Sequence, residues 1–94
     1  KYWVNWQWSC NMSNDGKVLN ALIYKNGSQY LSNYAQTGST YGSNQTVIGH
    51  VGMVVDLDTN GDYIEFYASH NHGDDRGTNG GGVTNATIFK IIGN

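Results

Sequence analysis

The residues best suited to chemistry fall in two short runs. Asp56-Leu57-Asp58-Thr59-Asn60-Gly61-Asp62 spaces side-chain oxygens at alternate positions ahead of a glycine, the first half of a calcium-loop pattern. The second half fails, because position twelve is Tyr67 where a bidentate glutamate is needed, and the flanks alternate as strands do. A polar turn is the stronger reading of this run and a Ca2+ site the weaker. In the second run, His70-Asn71-His72, two imidazoles fall on one side of an extended segment, a bidentate pair for a transition metal. Three such pairs on a threefold axis would offer six imidazole nitrogens, with Asp74 and Asp75 as acceptors orienting the rings. A hydrated pair of loop histidines is the simpler alternative.

The inventory for catalysis is poor. Ser69, His70 and Asp74 lie close together in sequence, whereas a triad assembles its members from separate elements, and no Gly-x-Ser-x-Gly elbow is present. Cys10 is flanked by Ser9 and Asn11, neither of which activates a thiol. Glu65 is the only glutamate, so paired carboxylates would have to come from turn aspartates. The expectation is a protein that is not an enzyme.

The elements that must carry these runs are strands. Thirteen glycines, no proline and 13% charged residues in 94, among many Asn, Ser and Thr, favour strands and polar turns over long helices. Tyr2, Val4, Trp6, Trp8 and Cys10 alternate with Trp3, Asn5, Gln7 and Ser9, which predicts a strand with Trp6 and Trp8 facing inward. Trp3 falls on the polar face and calls for a neighbouring subunit or a ligand. Val18 to Lys25 reads as a strand, Asn26-Gly27 as a two-residue turn, and Ser28 to Tyr34 as the returning strand. Residues 36–45 form a polar loop whose apolar anchor is Tyr41. Val47 to Leu57 and Ile64 to Ala68 each keep a period of two, and with the turn at Asp58 to Gly61 they predict one long antiparallel hairpin from Val47 to Ser69. His70 to Gly82 reads as a pliable connection, and Ala86 to Ile92 as the closing strand.

The net charge is −2 and no Lys/Arg run exists, which argues against nucleic acid as a partner. No apolar run reaches the roughly 20 residues that span a bilayer as a helix, so no membrane insertion is expected. A single cysteine makes no internal disulfide. Association is therefore expected to help bury the apolar faces of so small a domain. Asn-x-Ser/Thr triplets at Asn11, Asn26, Asn44 and Asn85 matter only in a secreted eukaryotic protein.

Leu57 to Tyr67, running leucine, short turn, Gly61-Asp62, Tyr63, Ile64, Glu65 and Phe66, resembles a signature of the globular head of complement component one q and its tumour-necrosis-factor-like relatives. Leu22-Ile23-Tyr24-Lys25-Asn26-Gly27-Ser28 resembles that family's apolar-x-Lys-Asn-Gly hairpin, and Ala86 to Gly93 its closing strand, although Phe89-Lys90-Ile91 replaces the usual Phe-Ser-Gly. The resemblance implies an all-β antiparallel jelly-roll sandwich forming a homotrimer. It matches Lys1 to Ser9 to a middle strand, so residues 1–94 are expected to be the C-terminal part of a jelly roll from a longer chain.

The composition looks more like the tip of a bacteriophage or other viral fibre than a secreted animal head, and His-x-His pairs of this kind resemble those of phage fibre and spike tips. The expected function is a trimeric recognition head on the virion surface or outside the cell. It follows upstream fibre or stalk segments, and Tyr41, His70, His72, Arg76 and Trp3 touch a host receptor or glycan. The alternatives are a structural trimerisation or capping domain and a secreted complement-q-like ligand-binding head.

Overall fold

The structure, a computed structural model, describes residues 1–12, 16–37, 45–73, 76–80 and 82–92. Among these there is no helix; six strands run in the order β1 (Tyr2–Met12), β2 (Val18–Lys25), β3 (Ser28–Gln36), β4 (Gln45–Val55), β5 (Ile64–His70) and β6 (Asn85–Lys90). They form two three-stranded antiparallel sheets, a front sheet ordered β4-β1-β6 and a back sheet ordered β3-β2-β5. The chain is all-β and the sheets face one another as a sandwich.

Register follows the alternation in the sequence. Val4, Trp8, Cys10 and Met12 on β1, Leu19, Ala21 and Ile23 on β2, and Val47, Val51 and Val55 on β4 are buried and make the core between the sheets. Burying each large aliphatic side chain contributes about 1.5–3 kcal/mol against leaving it exposed. Trp6 is half-buried and packs against this core. Both inward tryptophans also satisfy their polar ends across the sandwich: Trp8 Nε1 donates to the Asn20 carbonyl (2.7 Å) and Trp6 Nε1 to the Tyr67 carbonyl (2.8 Å). Space for this packing depends on Gly49 of β4, because a Cβ there would overlap the Cδ2 methyl of Leu19.

The Asn26-Gly27 turn forms as the sequence dictates. Both residues have positive φ, 53° and 83°, the requirement of the turn that matches strand twist. A register shift between Ile23 and Tyr24 marks a bulge in the β2–β3 pairing.

The expected hairpin from Val47 to Ser69 is corrected. β4 and β5 do occur on either side of the Asp58–Gly61 turn, but they do not pair: β4 joins β1 in the front sheet and β5 joins β2 in the back sheet. Residues 56–63 therefore arch from one sheet to the other. The arch is tied to the β2–β3 turn by Asn26 N donating to the Tyr63 carbonyl (3.0 Å), Tyr63 N to Asn26 Oδ1 (2.9 Å) and Asn26 Nδ2 to Asp62 Oδ1 (3.0 Å).

Candidate recognition surface

Three residues singled out by the sequence meet at the Met12 end of the sandwich. His70 closes β5 opposite Leu19 and faces inward, its ring 6.5 Å from that of Trp8. Its Nδ1 lies 3.2 Å from the donating backbone N–H of His72, which assigns Nδ1 as the unprotonated nitrogen. Arg76 lays its guanidinium against His72, with Nη2 at 3.0 Å from Nδ1 and 2.8 Å from Nε2, while Nη1 donates to the Asn11 carbonyl (3.3 Å).

The connection carrying them is stitched to β1, where it was expected to be pliable. Thr78 bridges to Cys10, Asn79 N donates to the Ser9 carbonyl (2.7 Å), and Asn79 Nδ2 contacts Ser9 Oγ (3.0 Å) and Asn11 Oδ1 (3.2 Å). Ser9 is consequently buried although its position alternates outward. Arg76 and Asn79 thus tie this edge, with its two imidazoles, to Ser9 and Asn11 of β1.

His70 and His72, the pair read as a metal chelate on a threefold axis, both make hydrogen bonds within the chain. One His70 nitrogen accepts from a backbone donor, and the Arg76 guanidinium lies against the His72 ring, nearly equidistant from its two nitrogens. Among the described residues no three His, Cys, Asp or Glu side chains group closely enough to hold a metal ion. At the arch, Asp62 accepts from Asn26 Nδ2 and from Thr59 N (3.1 Å). These bonds hold its carboxyl below the ordinary value of 3.8, with Asn26 the largest cause. The Asp62 carboxylate thus serves the turn. Tyr41, Asp74 and Asp75 lie outside the described residues.

Trp3 stands apart from the histidines. It projects from the outer face of the front sheet between Val54 and Phe89, its neighbours in register. Asn11, at the other end of β1, is about 26 Å away at the strand rise per residue. Val54 and Phe89 are 41% and 54% exposed, and the indole lies over Gly52, where a Cβ would sit 3.2 Å from Cζ2. The three side chains form an apolar stripe across the sheet.

A further surface was not singled out by the sequence. On the outer face of the back sheet, Tyr24 and Tyr67 stack with ring centroids 4.2 Å apart and planes 11° apart. Tyr24 pairs with Glu65 and Tyr67 with Leu22 across β2 and β5, so the rings meet on the diagonal. Tyr67 Oη donates to Glu65 Oε2 (3.5 Å), and the glutamate charge is the largest cause pushing the Tyr67 phenol above its ordinary value. Tyr34, paired with Asn20, is 63% exposed on the same face, and Asn20 Nδ2 donates to Ser69 Oγ (3.2 Å). Period-two parity could have put these tyrosines on one face, but only the strand order makes them neighbours.

Among the described residues the surface holds no enclosed cavity. The chain matches no protein-family model, no curated protein and no solved structure.

Proposed function

We propose that this domain is a non-enzymatic recognition head that works as a homotrimer at the tip of a viral fibre or on the virion surface, where it contacts a host receptor or glycan. The observation that carries the reading is the stacked Tyr24–Tyr67 pair with Tyr34, set among Asn20, Ser32, Ser69 and Glu65 on one exposed sheet face. Tyrosine offers large, rigid, amphipathic contact area at low entropic cost, and Ser and Asn offer adaptable hydrogen bonds, the combination that binding surfaces favour. The His70, His72 and Arg76 edge adds a cationic contact at one end.

The winding of the strands supports the jelly-roll part of the reading. A jelly roll is a long antiparallel hairpin wrapped so that its arms alternate between two sheets. Here β2 and β3 form the tip, β1 and β4 the next pair, and β5 and β6 return beside β2 and β1. The three motifs similar to the complement-q-like head fall at the β2–β3 turn, at the β4–β5 arch and on β6. The apolar stripe of Trp3, Val54 and Phe89 supports association, since a small monomer gains by covering it.

The test compares the parent with Tyr34→Ser, Tyr67→Ser and Arg76→Ala in cell attachment and glycan-array binding, with oligomeric state followed by sedimentation. Binding is expected to fall at least about tenfold while the trimer persists. Unchanged binding by an intact trimer favours a purely structural trimerisation or capping domain, the second reading, to which the Trp3 stripe alone belongs. A secreted complement-q-like head would use the same surfaces on another ligand.

A further inference from the structure

The two sheets are joined along one margin of the sandwich and parted along the other. At the joined margin β3 and β4 lie against each other, and Asn33 Nδ2 donates to the His50 carbonyl (2.9 Å). At the other margin β5 and β6 do not close in this way.

The consequence is legible in the inward-facing residues. Val4 of β1 is 0% exposed, yet Ile88, opposite it on β6 and with the same inward parity, is 47% exposed. Ala86, opposite Trp6, is exposed, and so is Ala68 on β5, opposite the fully buried Ala21. Trp6 reaches across the gap, with its ring 5.5 Å from that of Phe66 and its indole N–H on the Tyr67 carbonyl, and Trp8 lies beside His70 further along. The core is continuous up to this margin and then faces water.

Two demands coincide there. Each free strand edge leaves alternate backbone N–H and C=O groups without a strand partner, a row that extended polypeptide satisfies in full. The exposed inward residues require apolar side chains at every second position of whatever pairs with those edges. No proline guards either strand.

The direction of the chain selects the source. Trp6 lies beside Phe66 and Trp8 beside His70, so β1 and β5 run the same way. A strand antiparallel to β5 therefore finishes at the Lys1 end of the sandwich, where the Lys1 carbonyl accepts from Ile91 N (2.8 Å) just beyond β6. It can pass from there into β1.

We infer that the β5/β6 margin is a two-strand acceptor: it takes a pair of antiparallel strands with alternating apolar residues, one added to each sheet, from polypeptide that runs into Lys1. Each sheet then has four strands, and Ile88, Ala86, Ala68 and Phe66 become core. The inference stands whether or not the tyrosine face binds a receptor.

Hydrogen exchange tests it, comparing the 94-residue chain with the natural polypeptide that contains it. In the natural polypeptide, amides of residues 64–70 and 85–90 are expected to exchange about 100-fold more slowly, with β3 and β4 unchanged. Ile88→Asp is expected to lower the melting temperature of the natural polypeptide well beyond its effect on the 94-residue chain. Equal exchange in the two, a natural polypeptide beginning at Lys1, or protection of the short chain that rises with its concentration would each overturn the inference, the last by assigning the margin to a second copy.

Discussion

Leu19 of β2 fills, with its Cδ2 methyl, the space that any side chain at Gly49 of β4 would need. The contact joins the two sheets through the centre of the core, and Leu19 is fully buried with nowhere to retreat. Gly49→Ala is expected to destabilise by about 1–3 kcal/mol through overpacking. In a Leu19→Ala background, which opens the space, adding Gly49→Ala should cost markedly less, a non-additivity that urea titration of the four proteins measures. Strict additivity would mean that the two residues do not meet.

The inward tryptophans differ in what surrounds their indole N–H. Trp8 is 3% exposed and donates to Asn20 in a partly buried site, whereas the Trp6 bond lies at the surface. Trp8→Phe leaves a partly buried carbonyl short of a donor and should cost about 1–3 kcal/mol beyond the loss of ring volume. In Trp6→Phe, water replaces the donor and the cost should be smaller. Thermal melts of both variants decide the order.

Acid should loosen the arch. The Asp62 carboxyl titrates below its ordinary 3.8 in the folded state because Asn26 and Thr59 donate to its ionised form. The folded state therefore binds fewer protons than the unfolded one in that range. Its contribution is whole above the unfolded value and is lost as pH falls through the folded one. Melting temperatures taken from about pH 5 down to about pH 2 should fall more steeply for the parent than for Asp62→Asn. Parallel slopes would remove Asp62 from the account.

Cys10 should be inert while the protein is folded. It is fully buried, and burial pushes its thiol above the ordinary 9.0 against the opposing pull of the Arg76 charge. Thiol-specific labelling at neutral pH is expected to track the unfolded fraction across a urea series. Rapid labelling without denaturant would contradict the packing of β1.

Strand positions and faces were legible because they are local. The β2 strand occupies the predicted Val18–Lys25, Asn26-Gly27 makes the predicted turn, and Trp6, Trp8 and Trp3 take the faces their parity assigns. Partner choice was not legible. The turn residues Asp58 to Gly61 announce a reversal, but whether the next strand pairs with the last or crosses to another sheet depends on what β1 and β2 offer as partners. That is decided by long-range packing rather than by turn chemistry. The tyrosine face was hidden for the same reason, since Tyr24, Tyr34 and Tyr67 belong to three different strands. His72 and Arg76 were legible as candidate contact residues, but the meeting of their side chains and the bond from Arg76 to Asn11 on β1 were not.

Among the described residues, the β2–β3 hairpin is the one place where strands adjacent in the chain are also adjacent in a sheet. Every other pairing must first close a loop spanning much of the polypeptide, at an entropic cost recovered only once the distant strands dock. Refolding is therefore expected to take on the order of milliseconds to seconds, with the turn at Asn26-Gly27 the one local start from which the distant pairings must be gathered.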